Sequence, residues 1–164
     1  MELNCARMLL DLDITFPVNE GSIEKKISQI GRQQDIILDT LQEQAALQAA
    51  MNGVLVITGG PGTGKTTTIN TIISLLEEEG LEILLAAPTG RAAKRMSETS
   101  GREAQTIHRL LEINGGMGED NGNIDFKINE SQPLEADAVI VDEFSMVDIY
   151  LLHALLKALV PGTR

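Results

Sequence analysis

The sequence predicts an α/β fold in which a parallel sheet is flanked by helices, and three observations predict it. Two short apolar runs, Ile83–Ala87 and Ala138–Val141, have the length and uniform apolarity of strands buried on both faces. Each run is followed by turn residues and then by a helical stripe, and strands that alternate with helices pair in parallel through crossover connections. The third observation is Val54–Thr67, which reads as another buried strand (Val54–Thr58), a glycine-rich turn and the start of a helix.

The elements follow in chain order. Over residues 1–13, Cys5, Ala6, Leu9 and Leu10 recur at helical spacing, and the helix ends before Phe16-Pro17. Ile23, Ile27 and Ile30 mark a second short helix, stopped by Gly31. Residues 1–37 are therefore expected to be a helical preface packed on the domain. Asp39 opens a third helix, rich in Gln and Ala, that runs to about Met51 before Asn52-Gly53 breaks it. After the glycine-rich turn, Ile69, Ile72, Ile73 and Leu76 line one face of a helix ending at Gly80, as a crossover helix covering a sheet should. Pro88 closes the strand Ile83–Ala87, and Thr89-Gly90 opens a short helix carrying Arg91, Lys94 and Arg95.

Thr106 has the chemistry of an N-cap for a helix over Ile107–Ile113. Residues 114–123, rich in Gly and Asn, are expected to form a flexible loop. Ile124–Ile128 alternates like a minor strand, and the insertion over about 114–133 ends at Pro133. Ala138–Asp142 is a strand with a carboxylate at its end. Ser145–Asp148 reads as a capping box with Asp in place of Glu. It opens a last helix whose Leu151, Leu152, Leu155, Leu156 and Leu159 face inward before Pro161-Gly162.

The 164 residues suit one domain with a core, and 43% apolar content is that of a globular chain. No apolar run is long enough for a membrane span, and the chain carries no charged-then-apolar leader, so a cytoplasmic protein with no membrane partner is expected. The single Cys5 reads as a packed small hydrophobe. A net charge of −11 argues on average against nucleic acid, but local charge governs a groove. Only Phe16, Phe126, Phe144 and Tyr150 are aromatic, so no base-stacking platform is present. DNA contact would then rest on a small cationic patch, or on parts of a longer protein.

The chemistry begins at Gly59, Gly60, Pro61, Gly62, Thr63, Gly64, Lys65, Thr66 and Thr67, which fit the phosphate-loop (Walker A) pattern G-x-x-x-x-G-K-[ST]. Glycines let successive backbone N–H groups curl toward phosphate oxygens without a side chain in the way. The helix that follows presents its positive N-terminal end to the same anion. Lys65 can reach the outer phosphates, and the Thr66 hydroxyl can sit on a magnesium ion. A second strand must deliver an acid to that ion. Asp142 emerges where ligands bind parallel sheets, at the carboxyl end of Ala138–Val141, and Glu143 beside it is placed to deprotonate a water attacking the γ-phosphate. Two acids before a helix N-terminus also have a purely structural rationale. The adjacent Glu nevertheless favours hydrolysis over transfer to an acceptor, the GTPase signatures Asp-x-x-Gly and Asn-Lys-x-Asp are absent, and so is Leu-Ser-Gly-Gly-Gln of ABC transporters. ATP hydrolysis coupled to motion fits best.

Taken together, Thr58–Thr68, Ala87–Met96, Thr106–Leu111 and Val141–Asp148 resemble, in this order, the first motor domain of RecD/TraA-type DNA helicases of superfamily 1. The resemblance covers about residues 38–164 and extends more weakly into the preface. It implies a RecA-like P-loop NTPase fold, ATP and magnesium as ligands, and 5′→3′ movement on single-stranded DNA, with a nuclease or repair complex as partner. It implies that Pro88, Thr89, Gly90 and Arg91 line the single-strand path, with Thr106 and His108 in the next DNA-facing segment, and that Gln42 reads the adenine. Gln42 is equally the last member of a D-x-x-Q capping box from Asp39. Arg91, Lys94 and Arg95 equally fit a solvated helix face, and His108 a surface or packed histidine; His153 reads as helix surface. Phe144 departs from the family, which has a small residue there. The resemblance also implies that the chain is a truncated piece, with an incomplete sheet lacking a central strand and an isolated fragment of little turnover. A non-hydrolysing nucleotide-binding module, a phosphotransferase and an RNA helicase are the competing functions.

Overall fold

The computed structural model describes residues 1–60, 62–112 and 126–164. Its sheet has three parallel strands, β1 (Ile83–Ala87), β2 (Ala104–Thr106) and β3 (Ala138–Val141), in the order β2-β1-β3. The register sets Ala87 opposite Thr106 and Ala86 opposite Val141, so the carboxyl ends of all three strands finish along one line. Seven helices surround the sheet among the described residues: α1 (Glu2–Leu12), α2 (Glu20–Gln33), α3 (Thr40–Met51), α4 (Lys65–Glu78), α5 (Gly90–Ser100), α6 (Ile107–Leu110) and α7 (Ile149–Lys157).

Alternation along the strands sorts the core into layers. Ile83, Leu85 and Ile140 face α4 and α5, where they meet Ile69, Ile73 and Met96. Leu84, Ala86, Val139 and Val141 face the other way, onto Ile107, Leu110 and Leu111 and onto Leu151 and Leu155 of α7. Outside α4, the alanines Ala46, Ala49 and Ala50 of α3 let α2 and α4 close on it, burying Ile23, Ile27, Ile30, Ile72, Leu75 and Leu76 together. The N-terminal segment thus packs on the α/β unit. Its α1 does the same on the other side, where Cys5 and Leu12 meet Leu156 of α7, and Cys5 is the buried small hydrophobe the sequence suggests. Gly53 makes that junction close: a Cβ there would stand 1.9 Å from the Leu12 carbonyl oxygen. Two main-chain bonds stitch the crossing, Gly53 N–H to Ile14 O (2.8 Å) and Phe16 N–H to Met51 O (2.8 Å). No helix among the described residues is long and apolar enough to cross a membrane.

Several sequence expectations need correction. Val54–Thr58 is not a strand of the sheet; Val54 and Ile57 pack into the core, but Leu55 is 38% and Val56 78% exposed. The outer edge of β3 is engaged elsewhere. Val139 N–H donates to Arg164 O (2.8 Å), and Arg164 N–H donates to Asp137 O (2.9 Å), the alternation of a parallel ladder. Residues 54–58 pair with no strand of the sheet, and β3 itself is buried only at Ala138. Helix α2 does not stop at Gly31 but runs on to Gln33, because Gly31 is buried where the Ile36 carbonyl comes within 3.3 Å of a would-be Cβ. The helix after Thr106 is a single turn, Ile107–Leu110. Strand β2, too short and polar to show a pattern, went unforeseen. The last helix is capped by Asp148 (Leu151 N–H to Oδ1, 2.8 Å) rather than Ser145, since Phe144–Met146 forms a 3-10 turn and the chain extends at Val147. The expected loop over 114–123 and the first two residues of the minor strand over 124–128 lie outside the described residues, and 126–128 form no strand of the sheet.

The Gly53 junction yields a test. Gly53→Ala should destabilise the fold by about 1–3 kcal/mol, since backbone must move to admit the methyl group. Gly90→Ala, where a Cβ meets nothing within 4 Å, should stay within about 0.5 kcal/mol of the parent. Thermal or denaturant unfolding reads both, and equal stability of the two variants would refute the tight crossing.

Candidate nucleotide and nucleic-acid site

The glycine-rich loop is curled by residues only glycine serves well. Gly62 and Gly64 have φ of 75° and 79°, in the left-handed region. At Gly59 a Cβ would come 2.6 Å from Thr63 Oγ1, whose hydroxyl donates to the Gly60 carbonyl at 2.8 Å. Pro61 lies outside the described residues. Gly64 is the N-cap of α4 and offers no side chain to the first-turn N–H groups, and no acid stands in that turn. Those N–H groups are therefore left for an anion. Lys65 and Thr66 are exposed, and neither side chain makes an ion pair or hydrogen bond among the described residues. Thr67 is half-buried, its carbonyl taking the Thr71 hydroxyl at 2.9 Å.

Gln42 joins this loop to α3. Its Oε1 accepts from Asp39 N–H and its N–H donates to Asp39 Oδ1, both at 2.9 Å, completing the capping box. Its Nε2 donates to the Gly64 carbonyl at 3.3 Å, a longer bond. Both ends of the amide are thus engaged within the chain. Beside it in sequence, Ile37 and Leu41 are exposed, Ile37 almost completely.

The acidic pair follows β3. Asp142 N–H continues the sheet ladder to Ala86 O at 3.0 Å, which fixes the half-buried Asp142 at the strand end. Its Oδ1 accepts from Glu143 N–H at 2.8 Å. Glu143 has φ of 53°, a left-handed conformation that costs a residue with a Cβ energy and is found most often at functional turns. Arg95 of α5 reaches it, with Nη1 3.9 Å from Glu143 Oε1. The sequence singled out Arg95 only as a cation on a solvated or DNA-facing helix; its sole clue was a helix beginning where the neighbouring strand ends. Phe144, the departure from the family, is half-exposed and fills no interior space. Among the described residues no hydrogen bond or ion pair links Lys65 or Thr66 to Asp142 or Glu143, and no cluster of three or more His, Cys, Asp or Glu could hold a metal ion. The Thr66 hydroxyl and the Asp142 carboxylate are hard oxygen donors. They suit magnesium, an ion held by one or two protein groups together with phosphates and water.

The predicted DNA-facing residues gather at the same edge of the sheet. Thr89 and Thr106 are N-caps, accepting from Ala92 N–H and Arg109 N–H, each at 3.2 Å. Their hydroxyl protons remain free to donate. Because Ala87 pairs with Thr106, the two caps stand at neighbouring strand ends. Pro88 is half-buried, and Gly90 and Arg91 are exposed at the start of α5. Lys94 pairs with Glu98 on its own helix at 3.9 Å, as a solvated face would. His108 is half-buried and tilted against Phe126, with ring centroids 6.1 Å apart, which favours the packed histidine. His153, expected on a helix surface, is also half-buried.

Comparison with known proteins places this geometry. The family model described as an AAA domain matches residues 42–164. The chain is 46% identical over 125 residues to the ATP-dependent RecD2 DNA helicase of Deinococcus radiodurans, covering 75% of this chain and 16% of that protein. It is 38% identical over 146 residues to the RecBCD enzyme subunit RecD of Mycolicibacterium smegmatis, covering 75% of this chain and 26% of the relative. Against the ATP-dependent DNA helicase dda of Enterobacteria phage T4 it is 43% identical over 107 residues, covering 64% of this chain and 24% of that protein. The chain thus spans between a sixth and about a quarter of the length of these relatives. The match takes in the glycine-rich loop, the helix-capping threonines and the acidic pair alike, and on it the chain belongs to the AAA domain family and is similar to the corresponding part of RecD-type helicases.

Proposed function

We propose that the whole protein is an ATP-dependent DNA helicase to which this chain contributes the nucleotide-phosphate half of the first motor domain. Residues 38–164 would belong to that motor domain and residues 1–37 would be its helical preface. The observation that carries this reading is a glycine-rich loop running into an uncapped helix N-terminus, on the same α/β unit as an acidic pair ending a parallel strand. The names of two similar proteins, both ATP-dependent DNA helicases, support the substrate class.

Backbone N–H groups of the loop from Gly59 to Thr67, Pro61 excepted, with the Lys65 ammonium, bind the β- and γ-phosphates of ATP. Thr66 and Asp142 would hold magnesium, which would supply positive charge against the phosphate oxygens. Glu143 takes a proton from water as the water oxygen bonds to the γ-phosphorus. The bond from that phosphorus to the bridging oxygen breaks, leaving ADP and inorganic phosphate. Gln42 reads adenine by redirecting the amide that now touches Gly64, so adenine contact and that link compete. The two capping threonines, Thr89 and Thr106, together with Pro88, Gly90, Arg91 and His108, line the single-strand path and contact phosphates rather than bases. Movement would be 5′→3′, as in the RecD/TraA-type helicases the motifs resemble. Relatives named as RecBCD subunits support a larger nuclease or repair complex as partner. A buried, unpaired Cys5 suits a cytoplasmic setting.

Two measurements on the whole protein test this. Glu143→Gln should lower the ATP turnover rate by about 10²–10⁴-fold while nucleotide binding persists, and Lys65→Ala should weaken that binding; unaltered turnover in either would overturn the hydrolase reading. Arg91→Ala should weaken single-stranded DNA binding uniformly across sequences and flatten the log–log salt dependence by about 0.7, the contribution of one phosphate contact. An unchanged salt slope would remove Arg91 from the path.

A further inference from the structure

Arg95 and Glu143 come from different elements, α5 and the turn after β3. Lys94, next to Arg95, pairs within its own helix with Glu98, whereas Arg95 reaches across to the turn after β3. Glu143 directs its carboxylate there from a left-handed backbone, held by its own N–H on Asp142 Oδ1. Arg95 also lies one helical turn beyond Arg91, on the side-chain row that i,i+4 neighbours share. The row begins at the N-terminus of α5, where Thr89 caps the helix. Both partners are largely solvated, Arg95 at 71% and Glu143 at 42% side-chain exposure. A pair this open and this long is weak, and another anion can replace the carboxylate.

We propose that Arg95 is a positioning residue that couples DNA occupancy of α5 to the freedom of Glu143. This rests on the reading of Glu143 as the base and of α5 as part of the strand path. Without DNA, the guanidinium holds the Glu143 carboxylate toward α5. A phosphodiester arriving beside Arg91 offers Arg95 a second anion with the fork geometry guanidinium prefers. Arg95 moves to it, and Glu143 is released to orient and deprotonate water. Glu143 and a DNA phosphate therefore compete for one cation, and by linkage each weakens the other's hold on it.

The test is made in the whole protein, with ATP turnover measured without DNA and with saturating oligo-dT. Arg95→Gln should raise the DNA-free kcat by about two- to fivefold, the fold-change of losing one exposed ion pair. The KM for ATP should stay unchanged and stimulation by oligo-dT should shrink; Arg95→Lys should restore most of the wild-type ratio. A DNA-free kcat and stimulation ratio equal to wild type, or a kcat lowered equally with and without DNA, would overturn the proposal. The reciprocal measurement needs no turnover. Nucleotide-free Glu143→Gln should bind oligo-dT about two- to fivefold more tightly than wild type, and the gain should vanish when Arg95→Gln is added. A gain that survives in the double variant would be general charge repulsion and would also refute the coupling. Turnover unaffected by Glu143→Gln would instead sink the underlying hydrolase assignment.

Discussion

The structure depends first on the double pairing of β1. It alone among the described strands has a strand on both edges, β2 on one and β3 on the other, and both run parallel to it. Parallel pairing places every carboxyl end on one side, so Pro88–Gly90, Thr106–His108 and Asp142–Glu143 must emerge together. The register is fixed by packing. A slip of one residue in β3 would turn Val139 and Val141 toward α4 and α5, and would drive Ile140 into the α6–α7 layer. The same slip would carry Asp142 about 3.3 Å along the strand. The site is therefore positioned by the packing of apolar side chains on the two faces of the sheet.

At the acidic pair the two carboxylates have different tasks. Asp142 is anchored by the ladder bond to Ala86 and spends one oxygen on the Glu143 N–H. A hydrogen bond to an ionised acceptor is stronger than a neutral one, and it offsets part of the roughly 1–3 kcal/mol that a left-handed non-glycine residue costs. The Arg95 contact adds at most about 1 kcal/mol, because it is long and solvated. Glu143 is consequently fixed at the backbone and loosely held at its carboxylate, a state that neighbouring charge can shift. The Gly64 carbonyl is a comparable junction, taking Thr68 from within α4 and the Gln42 amide from α3.

Much of this was legible in the sequence because the relevant signals are local. Apolar runs mark β1 and β3, helical stripes mark α1, α2, α4 and α7, capping and opening residues mark α3 and α5, and the loop and acidic pair follow residue types that few other functions need. Asp39 and Gln42 stand three apart, and the capping box forms as that spacing implies. What escaped was set by tertiary neighbours. Val54–Thr58 has the composition of a buried strand, yet a strand needs a bonded edge, and beside β3 that edge is met by Arg164. Strand β2 has three residues and no apolar pattern, and exists because β1 offers it a ladder. Ser145 has the chemistry of a cap but the wrong backbone, since the preceding 3-10 turn delays the helix to Asp148. Arg95 could be recognised as a cation from sequence, but its partner depends on which strand lies next to β1.

The overall charge of −11 and a nucleic-acid path are compatible only if cations are concentrated and not all neutralised. Helix α5 concentrates them, with Arg91, Lys94 and Arg95 within five positions. Lys94 is already matched by Glu98 and Arg95 by Glu143, while Arg91 has no ion pair among the described residues. On this surface a phosphate backbone would meet one cation without an ion pair and would draw in the other two only by taking Lys94 from Glu98 or Arg95 from Glu143. Binding to this chain alone should therefore be weak and should shift by only a few-fold with the state of the acidic pair, the strength of one exposed ion pair. Among the cations of this patch, that linkage arises only at Arg95, because exchanging Lys94 from Glu98 would alter nothing at the acidic pair.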